Sequence, residues 1–344
     1  MSVHTVAGTG TGPQVATERG SPRETLEQTG AAARVATPRV GAALVGAARV
    51  GAAQDAVVTP VLSWYRAHAR DLPWRRPGST PWAVLVSEIM LQQTPVSRVE
   101  PAWRAWLARW PTPAALAAAT PGDAVRAWGS LGYPRRALRL HEAATVLVRD
   151  HNGQVPAELE ALRRLPGVGG YTAAAVASFA FRQRHAVLDT NVRRVLGRVF
   201  GGVEYPRPGS PSAAERHLAE ALLPARATEA ARWAVASMEF GALVCTARSP
   251  RCVQCPILAA CAWQHAGAPV YSGPARRGQA YEGTDRQARG RILARLRAAA
   301  GPVPAADLAA LVVDPAQRRR AVDGLISDGL VEAMGSGYRL PGPR

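Results

Sequence analysis

The chain has 344 residues and a net charge of +17, and all 42 of its basic side chains are arginine. A surplus of that size points to a polyanion, nucleic acid above all, although a merely solvated arginine-rich surface gives the same count. Without lysine no side chain can form a Schiff base, so only the N-terminal amine is left for that chemistry. No apolar run approaches the roughly 20 residues that span a bilayer.

Residues 1–54 are rich in Ala, Gly, Thr and Val and lack aromatic residues. They read as a disordered extension, with a targeting peptide as the alternative. From Val57 to about Trp263 apolar residues recur at helical spacing, and Pro and Gly punctuate the joints. Strand alternation is absent until the C-terminus, so this section is expected to be all-α, as one domain or two packed lobes.

Within it, "ARDLPWR" supplies Arg70, Trp74 and Arg75, a flat ring between guanidinium groups that can enclose a purine. The plain alternative is a surface turn around a buried Trp. Next, "AVLVSEIMLQQTPV" places Glu88 among Val84, Leu85, Ile89 and Leu91. Such surroundings raise a carboxyl pKa toward the range of a general acid, unless Glu88 sits on the wet face of its helix. Gln92 and Gln93, with Thr94 next, can bond base edges or fill the gap left by an extruded base. "LGYPRRA" offers Leu131 and Tyr133 at a helix joint, as a wedge if DNA is the partner.

"LPGVGGYTAAAV" follows, its Gly167, Gly169 and Gly170 expected to take positive φ and to let backbone approach a ligand. A glycine turn opening a helix points N–H groups at the positive helix end, which suits phosphate. The Leu-Pro-Gly-Val-Gly string resembles a helix-hairpin-helix element, which implies a DNA-backbone grip by Gly167, Val168, Gly169 and Gly170. Asp189 in "AVLDTNVRRVLGR" precedes a basic helix, as a site acid or simply its N-cap, and Asn191 is placed to orient it.

Cys245, Cys252, Cys255 and Cys261 are the only cysteines, spaced C-x6-C-x2-C-x5-C. Four clustered thiolates in a chain without a secretory signal suit a reduced, intracellular metal centre rather than disulfides. The choice is a 4Fe–4S cluster or zinc, and the spacing fits paired zinc knuckles poorly. Residues 264–284 read as a linker. Beyond it, three helical segments and a short hairpin around Gly335 and Gly337 suggest a winged-helix-like module or a plain helical one.

Taken in order, "LPWR", "SEIMLQQT", "LGY", "LPGVGGYTA", "LDTNVRRV", "MEFGALVC" and the cysteine loop resemble the helix-hairpin-helix, iron–sulfur DNA glycosylases, specifically the MutY type, over about residues 57–265. The resemblance implies a two-lobed all-α core. One lobe is 55–82 with 188–265, carrying a 4Fe–4S cluster on the four cysteines; the other is 83–187. A linker at 266–284 leads to a small winged-helix-like domain at 285–344, too short for the Nudix-like domain of longer relatives. It implies a monomer in the cytoplasm, associated with the nucleoid, that hydrolyses adenine from double-stranded DNA where it is mispaired with 8-oxoguanine or guanine.

Residue by residue, the resemblance makes Glu88 the acid and Asp189 the stabiliser of a cationic sugar, oriented by Asn191 and Tyr171. Trp74, Arg75 and Glu239 surround the extruded base, Gln93 and Tyr133 enter the duplex, Thr94 lies near the opposite base, and Arg248 and Arg251 belong to a DNA-binding loop ordered by the cluster. Endonuclease III, the nearest sibling, carries a lysine where this chain has Tyr171 and "VDTH" where it has "LDTN". Two rivals stay open: an endonuclease III-like pyrimidine glycosylase/lyase, and a non-catalytic iron–sulfur DNA-binding protein. The lysine-free sequence argues against the first, and a pure binder has no need of both Glu88 and Asp189 in a basic groove.

Overall fold

The structure, a computed structural model, describes residues 47–273 and 281–343. Its helix starts are written in the sequence as threonine–proline pairs. Thr80, Thr112 and Thr120 each accept a bond from the backbone N–H three residues on, at 3.1, 3.2 and 3.0 Å. The proline that follows each has no N–H to leave unsatisfied and already holds a helical φ.

Helix α1 (Ala47–Ala53) runs through a π-helical turn, Gln54–Val58, into α2 (Thr59–His68). The expected extension therefore ends earlier than residue 54; its first 46 residues lie outside the described residues. The anchor is Gln54, whose Nε2 donates to Leu223 O at 3.2 Å, beside Val57 and Val58, which are buried. After a 3₁₀ turn at Pro73–Arg75 come α3 (Pro81–Leu91), α4 (Val96–Arg109), α5 (Pro113–Ala117), α6 (Pro121–Trp128), α7 (Arg135–Asp150), α8 (Leu159–Arg164) and α9 (Gly170–Phe181). They close around a tryptophan-rich core in which Trp106 meets Trp110 and Trp128 edge-on, with centroids 4.6 and 5.6 Å apart.

Helices α10 (Thr190–Gly201), α11 (Ala213–Ala221), α12 (Ala227–Leu243) and α13 (Ala262–His265) pack with α2 around a second core that includes Val61, Leu196, Leu222, Trp233 and Phe240. A small apolar patch of Ala174, Ala175, Val187 and Ala234 joins the two. The candidate site residues gather along this seam.

The C-terminal segment folds as α14 (Asp285–Ala298), β1 (Val303–Pro304), α15 (Ala305–Leu311), α16 (Pro315–Ser327), β2 (Glu332–Met334) and β3 (Gly337–Arg339), with an antiparallel sheet in the order β1-β3-β2. That is a winged-helix arrangement. The hairpin is legible in the sequence; the two-residue β1 is not. Its pairing needs glycine at 337, where a Cβ would lie 2.6 Å from Val303 O.

This module has no separate core. Ile292, Leu296 and Leu340 belong to the same buried cluster as the tryptophans. Gly122 N donates to Pro341 O at 2.8 Å. Arg126 Nη1 reaches Arg297 O and Ala299 O at 2.6 and 2.7 Å, and Arg297 Nε returns a bond to Val125 O at 2.9 Å. Among the described residues no helix is long and apolar enough to cross a membrane.

Candidate active site

A cavity of about 590 Å³ opens on the seam, and Glu88, Tyr171, Asp189 and Asn191 all line it. Residues far apart in sequence meet there because four helices converge: α3 brings Glu88, the first turn of α9 brings Tyr171, the start of α10 brings Asp189 and α12 brings Glu239.

Glu88 is buried in a helix whose residues Trp82 to Met90 are all buried, so the wet-face reading does not hold. Burial pushes its carboxyl up to about 7, offset in part by the Arg75 charge and the Tyr171 hydroxyl and reinforced by Asp189. Tyr171 Oη donates to Glu88 Oε2 at 3.3 Å. Burial, with the neighbouring Glu88 and Asp189 charges, holds that phenol well above its ordinary pKa, so it stays a donor.

Asp189 serves both readings offered for it. Its Oδ1 caps α10 by accepting from Val192 N at 2.7 Å, while Oδ2 accepts from Asn191 Nδ2 at 2.7 Å. Burial raises its pKa against these bonds. The chain of bonds continues: Asn191 Oδ1 accepts from Arg194 Nη2 at 2.8 Å, and Arg194 Nε donates to Cys245 O, also at 2.8 Å. Gly241 makes room for this, since a Cβ there would lie 2.8 Å from that of Asn191.

Opposite the acids, Glu239 is held by Arg70 Nε at 2.6 Å and Nη2 at 2.7 Å, and by Arg75 Nη1 at 2.9 Å. Burial works to raise its pKa, but the two guanidiniums outweigh it and keep the carboxylate ionised. Trp74 lines the cavity yet is almost wholly buried, its ring edge-on to Trp103 at 5.7 Å.

Outside the cavity, two loops approach each other. Gln93 and Tyr133 both sit at positive φ, 56° and 46°, and both are exposed. Gln92 turns inward, its Nε2 donating to Thr172 Oγ1 at 3.2 Å. Thr94 is buried and takes a bond from Arg136 Nη2 at 2.9 Å. Leu131 is buried in the tryptophan core, so it cannot be part of an exposed wedge, whereas Tyr133 is exposed. In the glycine turn only Gly167 has positive φ, 79°, with its Cα against Arg139. Gly169 is extended at φ −88° and Gly170 begins the helix, contrary to expectation. What they provide is bare backbone: nothing lies within 4 Å of a Cβ at either position, and no side chain caps the first N–H groups.

All four cysteines line one small pocket and none forms a disulfide. Burial and mutual charge raise the Cys252 and Cys261 thiols and push Cys255 up to about 11, so these groups need cations to become thiolates. Donors stand ready for sulfur anions: Arg198 Nη1 at 3.3 Å from Cys245 Sγ and Gln264 Nε2 at 3.1 Å from Cys252 Sγ. The donor set fits a metal centre. Among the described residues no three such side chains converge to hold a single ion.

The family described as HhH-GPD superfamily base excision DNA repair protein matches residues 86–223. The adenine DNA glycosylase of Mycobacterium tuberculosis (strain CDC 1551 / Oshkosh) is 57% identical over 287 residues, 83% of this chain and 93% of that protein. The chain belongs to the adenine DNA glycosylases of this superfamily. A second such glycosylase, from Mycolicibacterium smegmatis, is 53% identical over 284 residues, 81% of this chain and 94% of that one. Among solved structures, a thermostable thymine-DNA glycosylase superposes with a TM-score of 0.58 at 29% identity, covering 63% of this chain and 98% of the other. The protein is thus an N-glycosylase of base excision repair, and glycosylases of its type usually carry a 4Fe–4S cluster.

Four arginines of this glycosylase escaped the sequence reading. Arg136, Arg193, Arg194 and Arg198 are buried, and each ties a loop to a helix. The one available signal was arginine inside apolar helical stretches, where a cation needs several acceptors. "TNVRRVLGR" had it and was read only as a basic helix.

Proposed function

We propose that this glycosylase removes adenine mispaired with 8-oxoguanine or guanine from double-stranded DNA by hydrolysis, without cutting the strand. The observation that carries the reading is the meeting of Glu88 and Asp189 in one cavity, each oriented by a second side chain.

The base must leave the stack to reach such a pocket. Arg75 and Glu239 supply a donor and an acceptor for its polar edge, and Trp74 a flat wall. Glu88, near half-protonated at neutral pH, gives its proton to adenine N7, and the purine departs as a neutral leaving group. The sugar left behind is cationic, and Asp189 faces it as a carboxylate. Glu88, now ionised and bonded by Tyr171, accepts a proton from the attacking water. No step needs an amine. Position 171 is tyrosine and the chain has no lysine, which disfavours the lyase alternative.

Tyr133 and Gln93 enter the duplex where the base has left, while the bare turn at Gly169 and Gly170 takes a phosphate at the α9 N-terminus. The four cysteines hold a 4Fe–4S cluster that orders the loop bearing the exposed Arg248 and Arg251. The C-x6-C-x2-C-x5-C spacing, a poor fit to paired zinc knuckles, favours a cluster over one zinc ion. The protein acts on chromosomal DNA in the cytoplasm.

The decisive assay uses matched duplexes bearing adenine opposite 8-oxoguanine, guanine or thymine, with and without alkali. Expected is release of adenine from the first two, with strand breaks only after alkali. Breaks without alkali, or no adenine released from any duplex, would overturn the reading.

A further inference from the structure

The C-terminal winged module is fixed to the helical core beside the residue that enters the DNA. Arg286, in the first turn of α14, places its guanidinium 5.6 Å from the Tyr133 ring centroid and 5.7 Å from that of Tyr281. The buried Arg136 lies 5.5 Å from the same Tyr133 ring. The exposed tyrosine thus meets a cation of the core and a cation of the module. Each contact is an attraction between a charge and a ring face.

The module is held in that place independently. Asp328, at the end of α16, accepts from Arg289 and pairs with Arg135 Nη1 at 3.3 Å, two residues from Tyr133. The backbone bond from Gly122 to Pro341 fixes the far end. Arg286 itself is exposed and in no ion pair among the described residues. A cation kept out of ion pairs, next to a residue that enters a duplex, faces a phosphate once the duplex is bound.

We propose that the winged module is a second DNA-binding element of this enzyme, and that Arg286 is its contact: it steadies Tyr133 and binds a backbone phosphate of the bound duplex. The inference rests on the reading of Tyr133 as the residue that enters the duplex. It gives the C-terminal segment a role in holding DNA that needs no Nudix-like fold.

The test compares full-length Glu88→Gln protein with the same protein carrying Arg286→Ala, Arg286→Lys or, as a control on the same helix, Arg291→Ala. Dissociation constants for a duplex with adenine opposite 8-oxoguanine are measured across a salt series. Expected for Arg286→Ala is affinity weaker by about five- to tenfold and a log–log salt slope smaller by about one, since one phosphate contact is lost. Arg286→Lys should restore the slope, and Arg291→Ala should match the parent. Arg286→Ala with unchanged affinity and slope overturns the proposal. So does an equal loss in Arg291→Ala, which would mark a diffuse charge effect. Failure of wild-type protein to release adenine would count against the proposed function instead, and this binding comparison would still stand.

Discussion

Glu88 is costly to the fold. Unfolded, its carboxyl titrates near 4.5; buried in α3, it titrates at about 7. Between those values the native state holds a proton that the unfolded chain has released, so stability falls as pH rises through the window and is lowest above it. The penalty is at most about 3 kcal/mol. Glu88→Gln removes it. The variant is expected to melt higher than wild type at pH 8 and close to it at pH 5, which calorimetry at the two pH values checks. Activity should move the opposite way. Single-turnover adenine release is expected to fall by about 10²–10⁴ in the variant, the usual worth of a general acid. In wild type it should decline about tenfold per pH unit above 7, as the proton is lost. Equal melting of the two proteins at pH 8 would mean that Glu88 is not desolvated, and the proton-donor role would lose its basis. A residue that weakens the fold where it serves the reaction is the ordinary trade between stability and activity.

Arg136 shows how elements are tied together, and why that was hidden. Its Nη1 donates to Ile89 O, Met90 O and Gln92 O at 2.9, 2.9 and 2.5 Å, and its Nη2 to Gly132 O at 3.1 Å. One guanidinium therefore closes the C-terminal end of α3 and fixes the turn bearing Gln93 to the turn bearing Tyr133. Burial brings its pKa down only to about 10, so it remains charged at neutral pH. Arg136→Met keeps the bulk and removes the donors; each buried acceptor left bare costs about 1–3 kcal/mol. Expected are a lower melting temperature and, at temperatures where the variant is folded, weaker binding to mispaired duplex than for Arg286→Ala, because both loops lose their mutual position. Undiminished affinity in a folded variant would show that the loops are set independently. The contrast with Glu88 explains what sequence could reveal. Helix starts, the cysteine loop and the two acids each announce themselves through local chemistry: a Thr-Pro pair, a thiol spacing, a carboxyl among aliphatics. Arg136 works through acceptors that are main-chain carbonyls, which no side-chain pattern marks. The burial of Leu131 and the extended φ of Gly169 were missed for the related reason that a loop's inward and outward faces are decided by what packs beneath it.

At the scale of the molecule, the described residues form two main cores with the candidate site on the seam between them. The winged module was readable as three helices and a hairpin, but not as a continuation of the tryptophan core, because Ile292, Leu296 and Leu340 look the same whether they close a separate core or extend a shared one. The closest backbone approach in the joint is at α6, at Gly122. A methyl group there would lie 2.5 Å from Pro341 O and 3.1 Å from the Leu340 Cβ, main-chain and near-backbone atoms that have little freedom to move. Gly122→Ala should cost about 1–3 kcal/mol by overpacking. The loss should fall first on the docking of residues 285–343. The variant is expected to be cut within residues 266–284 under limited proteolysis sooner than wild type. The core chemistry at Glu88 and Asp189 lies elsewhere in the molecule, so single-turnover release at saturating enzyme should hold near the wild-type rate, while affinity for DNA drops with the displaced Arg286. If instead the variant resists protease like wild type and melts at the same temperature, the module is held by its apolar contacts and by the Arg126, Arg297 and Arg135 bonds without help from this approach. Gly122 would then be an incidental small residue in α6.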